Sequence, residues 1–155
     1  MPPPYKPARR PVEHLMTHEN DISGVASDFA RMVYRCMFRD GRFKAVYQCS
    51  GYWADGYIIT IEGENIPFEI KDTLGWGSLC AALVQLISIS SALPLRAASG
   101  WIVFENYSSA WAKNPAGALN HAMYCASKFH AGLDIHLVHV GRDCSLTTQL
   151  AVTAA

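Results

Sequence analysis

Two apolar runs, Trp101 to Phe104 and Ile135 to Val140, constrain this chain more than any other feature. Each has the length of a buried strand, and each follows a helix-length segment with its own stop signal. Ser78 to Ser91 places Leu79, Ala82, Leu83, Leu86 and Ile89 at helical spacing and ends before Pro94. Pro115 suits a first helical turn, and the helix it opens runs to about His130, where Gly132 closes it. A strand that returns through a crossover of that length pairs parallel with its predecessor. The second half of the chain therefore predicts parallel strands with helices packed on them.

The first half reads differently. Asp21 or Ser23 can cap a helix that runs to Arg39, with Val25, Phe29, Met32, Val33 and Cys36 on one face and Asp40-Gly41 as its stop. Phe43 to Cys49, Gly56 to Ile61 and Ile66 to Lys71 then read as strands. The short turns at Ser50-Gly51 and Glu62 to Asn65 make them an antiparallel meander. The order α β β β α β α β predicts one α/β domain with a central mixed sheet flanked by helices. Residues 1–20 are expected as an extended Pro-rich basic arm, 21–141 as the domain and 142–155 as a C-terminal tail. His14 and His18 would share one helical face, a spacing that zinc can use, but no third ligand lies nearby and a surface turn is expected.

Half of the 155 residues are apolar and 17% are charged, which excludes a disordered chain and supports a real core. Lys plus Arg and Asp plus Glu each number 13, so a nucleic-acid partner would have to meet a local patch. Residues 1–44 supply one, with eight basic and five acidic side chains. Five cysteines without a CxxC pair make a poor disulfide framework. The leading residues lack the apolar stretch of a signal peptide, and Leu79 to Leu95 is too short and polar to cross a membrane. These features predict a soluble protein of the reducing cytoplasm, with no membrane partner.

The chemistry concentrates in the hairpin. Asp55 opens one strand and Glu69 lies near the end of the next, so both meet at one end. Strand alternation puts Glu69 and Lys71 on one face and Phe68 and Ile70 on the other. Two converging carboxylates suit a hard divalent cation, and Mg2+ takes one or two carboxylates plus water and phosphate oxygens. Such an ion activates water, and an adjacent lysine neutralises developing charge.

Asp55, the hairpin, Glu69-Ile70-Lys71 and the helix that follows resemble the PD-(D/E)xK nuclease superfamily. The resemblance covers most of the chain and implies a restriction endonuclease-like αβββαβ core plus one further helix and strand. It implies Asp55 and Glu69 as metal-binding acids, the Ile70 carbonyl as a further ligand and Lys71 as the catalytic lysine. Gln85 resembles the polar residue that many members carry on the following helix, and Asp28 the acid that completes the metal shell from the first helix. Ile89 stands where RecB-like members carry Tyr, and Ala54 stands where the family's Pro precedes the first acid. The implied activity is Mg2+-dependent hydrolysis of DNA, with Mn2+ as a substitute, by a homodimer. Arg31, Arg35 and Arg39, at helical spacing, would hold the DNA backbone. Trp76 would stack on a base, and Ser78 would cap a helix whose amides face a phosphate. The alternative is a catalytically inactive module of the same fold that binds DNA or another protein. His136 and His139, at odd spacing on a strand, are expected to face opposite sides rather than share a metal.

Overall fold

A computed structural model describes residues 12–16, 21–22, 25, 27–50, 55–92, 99–128 and 134–152. Its strands are β1 (Val12–Met16), β2 (Phe43–Ser50), β3 (Gly56–Thr60), β4 (Asn65–Ile70), β5 (Thr73–Leu74), β6 (Ser99–Phe104), β7 (Asn106–Tyr107), β8 (Asp134–Val140) and β9 (Leu146–Val152). Its helices are α1 (Asp28–Arg39), α2 (Trp76–Ala92), α3 (Ser109–Ala112) and α4 (Pro115–Lys128).

Seven strands form one sheet in the order β1-β2-β3-β4-β6-β8-β9, and β5 pairs with β7 in a small second sheet. The first four strands run antiparallel, β4, β6 and β8 run parallel, and β9 returns antiparallel. The parallel pairs are the two reached through long helical connections, as crossover geometry requires. Pro67 lies one residue before β4 begins to pair with β6 at Phe68, where its missing N–H costs that ladder nothing.

Each sheet face has its own core. On one, Val33, Tyr34 and Met37 of α1 meet Val46, Ile58, Phe68, Trp101 and Val103. On the other, Leu79, Leu83, Leu86 and Ile89 of α2 and Ala122 of α4 meet Ile102, Phe104, Ile135 and Leu137. Ser27 caps α1, its hydroxyl accepting from the Ala30 amide at 3.3 Å. The helix therefore begins later than a cap at Asp21 would set, and Ser23 lies outside the described residues.

Two segments expected outside the sheet belong to it. Val12–Met16, within the Pro-rich arm, is an edge strand on β2, so His14 lies in a strand rather than on a helix. Leu146–Val152, within the tail, is the opposite edge on β8. His18 and residues 1–11 lie outside the described residues.

The cysteine reading needs correction. Cys36 of α1 and Cys144 of the β8–β9 turn form a disulfide across 108 residues, with Cα atoms 4.8 Å apart. Such a bond belongs to a protein that folds in an oxidising setting, so the expectation of a reducing cytoplasm is overturned. Its partners are too distant in sequence for spacing to suggest the pairing. Cys144 adopts a left-handed backbone, φ 65°, which few non-glycine residues take. No helix among the described residues is long and apolar enough to cross a membrane.

Candidate functional site

The register Gly56↔Phe68 sets Asp55, just before β3, beside Glu69 near the end of β4. Gly56 permits this. A Cβ there would collide with the backbone carbonyl of Tyr47 and lie 3.1 Å from Cζ of Phe68. Phe68 points into the α1-side core, so alternation turns Glu69 to the other face, where it is 3% exposed.

The two acids hold each other through the backbone. The Asp55 amide donates to Glu69 Oε2 at 3.0 Å, and the Ile70 amide donates to Asp55 Oδ2 at 2.6 Å. Lys71 Nζ lies 3.3 Å from Glu69 Oε1 and donates to Gln85 Oε1 of α2 at 3.1 Å. The structure thus brings Asp55, Glu69, Lys71 and Gln85 together, and the amide of Gln85 has its partner. From the other face, the Tyr34 hydroxyl donates to the Asp55 carbonyl at 3.4 Å, and the Cys49 amide donates to the same oxygen at 2.8 Å.

Burial dominates the electrostatics. It pushes the Glu69 carboxyl up to about 8, with the neighbouring Asp55 charge adding to the rise and Lys71 opposing it. Burial raises Asp55 as well, against the stabilising Ile70 amide and its hydrogen bond with Glu69. The Tyr34 hydroxyl is raised by burial and then by Asp55. Two acids and one ammonium carry a net negative charge that a single proton cancels. Burial and the repulsion between the two carboxylates both favour the protonated form of the pair.

These donors do not fit the expected metal. Among the described residues no three His, Cys, Asp or Glu side chains come together to hold an ion. Asp28 is 95% exposed and pairs with Arg31 within its own helix, so it does not complete a shell. Three of the four carboxylate oxygens of Asp55 and Glu69 already face donors of the chain itself. The expectations of Mg2+ or Mn2+ as cofactor, of a Mg2+-dependent deoxyribonuclease and of a DNA-hydrolysing function are therefore corrected.

The expected nucleic-acid residues do not form one surface. Arg31 donates to the Val25 carbonyl besides pairing with Asp28. Arg35 and Arg39 are exposed on α1, on one side of the sheet. Trp76 and Ser78 lie at the start of α2, on the other. Trp76, 41% exposed, packs edge to face on Trp111 and His121. The Ser78 hydroxyl accepts from the Gly75 amide at 2.9 Å and lies 2.9 Å from the Thr73 carbonyl. It closes the turn that starts α2 at Trp76, two residues earlier than expected.

Sequence reasoning missed three residues around the acids. Tyr34 was readable as a member of α1's apolar face, though not as a donor to Asp55. Ser27 and Asp72 line a pocket of about 270 Å3 with Asp55, Ile70 and Lys71, and loop positions like these carry no periodic signal. His139 Nε2 lies 2.9 Å from the Glu105 carbonyl. No family model, curated protein or solved structure matches the chain.

Proposed function

We propose that this chain is a non-catalytic module of nuclease-like architecture that works through protein contact. The order α1-β2-β3-β4-α2-β6, with β4 and β6 parallel, supports the restriction endonuclease-like reading of the fold. So does the placement of Asp55, Glu69, Lys71 and Gln85 at one end of the hairpin. Fold alone does not confer activity, and here the site residues serve the structure.

The observation that carries this reading is the closure of the acid pair. Its oxygens accept from the Asp55 and Ile70 amides and face Lys71, which is held in turn by Gln85. A carboxylate pair tied to its own backbone, with Lys71 held by Gln85, fixes the hairpin against α2. Three of the pair's four oxygens are thereby engaged by the chain itself.

DNA contact is the weaker form of the alternative. Arg31 is engaged by Asp28 and Val25, and Arg42 by Asp40 at 2.7 Å, which removes two cations from the basic end. A gel shift at low ionic strength, with duplex and single-stranded DNA, tests the choice. The expected result is no complex. A complex weakened by Arg35→Glu and by added salt would move the assignment to DNA binding.

A further inference from the structure

We propose that the pocket between the end of α1 and the β8–β9 turn binds a carboxylate carried on a short hydrocarbon stem. The pocket lies at the opposite end of α1 from the acid pair, and the proposal stands apart from the protein-contact reading above.

The pocket has a volume of about 570 Å3, within the range of small-ligand sites. Arg39 and Asp40 line it from the end of α1, and Arg142 and Asp143 line it from the turn. The two walls are joined covalently, since Cys36 precedes Arg39 in α1 and Cys144 follows Asp143 in the turn. A clamp this close fixes the separation of the two arginine-bearing backbones before any ligand arrives. Such preorganisation lowers the cost of binding.

The acids of the pocket are engaged within their own walls. Asp40 accepts from the Arg42 side chain at 2.9 and 2.7 Å and from the Arg42 amide at 3.0 Å. Asp143 accepts from the Ser145 hydroxyl at 2.7 Å and from the Ser145 amide at 3.1 Å. The arginines are the groups left to meet a ligand. Arg39 and Arg142 are exposed, and Arg142 joins no ion pair among the described residues. Each guanidinium is a planar fork whose paired N–H donors match a carboxylate.

Charge and shape select the ligand. Arg39, Arg42 and Arg142 against Asp40 and Asp143 leave one positive charge, which a singly charged carboxylate cancels. A phosphate dianion would exceed it and be repelled by both acids. The carbonyl end of α1, which closes this side of the pocket, opposes the second charge as well. Duplex DNA would bring a row of phosphates against the same acids. Leu146 lines the pocket too and gives the stem an apolar contact.

Arginine Nε–H resonances of the full oxidised chain, titrated with butyrate and with N-acetylglutamate methylamide, test the proposal. Butyrate should shift Arg39 and Arg142 to saturation, and the neutral butyramide should not. Tighter binding of the capped glutamate supports an acidic side chain of a protein as the natural ligand, and tighter binding of butyrate supports a diffusible acid. Arg39→Gln and Arg142→Gln should each weaken butyrate about tenfold, the loss of one charge-assisted pair. Lys113→Ala, exposed between α3 and α4, should leave it unchanged. Dithiothreitol should weaken it by releasing one wall from the other. The absence of any saturable shift overturns the site. Binding that survives both arginine variants, or that survives reduction in a folded chain, overturns the clamped two-walled geometry. Inorganic phosphate or duplex DNA that displaces butyrate at lower concentration overturns the carboxylate assignment in favour of phosphate.

Discussion

The two faces of the sheet are covered in different ways. On one, α1 turns Val33, Tyr34, Cys36 and Met37 inward and its charges to solvent, and Cys36–Cys144 fastens it to the β8–β9 turn. On the other, α2 and α4 cover an equally apolar core but carry almost no charge on their outer sides. The first face is finished in the monomer. The second keeps Trp76, Val84 and Tyr124 exposed among uncharged neighbours. The acid cluster joins them, since Tyr34 reaches Asp55 from one side and Gln85 reaches Lys71 from the other.

Breaking either core should cost about the same. Phe68→Ala on the α1 face is expected to lower stability by about 3–5 kcal/mol, and Leu83→Ala on the α2 face by about 2–5 kcal/mol. Denaturant midpoints at constant slope check both. The disulfide should distinguish the faces. Cys36→Ser is expected to cost about 2–5 kcal/mol, because the bond closes a loop of more than a hundred residues in the unfolded chain. Hydrogen exchange should rise first in α1 and in the β8–β9 turn, with α2 still protected. Uniform loss of protection would show that the two faces are not independently fastened.

The cluster between the faces predicts a pH dependence. Folded Glu69 keeps its proton up to about pH 8, whereas its ordinary value is 4.5. The folded state thus binds more protons across that window. Stability should fall as pH rises through it and level off above, with a slope of up to about 1.4 kcal/mol per pH unit for the one proton. Glu69→Gln should flatten the profile, as read from urea midpoints between pH 5 and 9. The smallest effect on stability belongs to the outer faces. Arg35→Ala and Val84→Arg should each stay within about 0.5 kcal/mol of the parent chain.

What the sequence disclosed follows from what it encodes locally. Alternation and turn residues placed β2, β3 and β4, and period and proline placed α2 and α4, so Asp55, Glu69, Lys71 and Gln85 could be brought together on paper. The edge strands stayed hidden. Val12–Met16 follows a run of prolines, and Leu146–Val152 is half polar, so neither has the apolar content of a central strand. The disulfide joins residues whose proximity exists only after the sheet has formed. The role of the acids was misjudged because spacing shows which side chains converge and not which oxygens the backbone already engages. Asp28 shows the same limit. Its place on the helix was right, but it is a first-turn acid whose carboxylate faces water.

The central claim is that the acid pair is a closed, proton-holding cluster. Carbon-13 NMR of the Glu69 carboxyl in the full chain, titrated with and without Mg2+, tests it most directly. The account predicts a midpoint near 8 that Mg2+ leaves in place. A midpoint near the ordinary glutamate value, or one that Mg2+ drives downward, would contradict it and return the pair to the role of metal ligands.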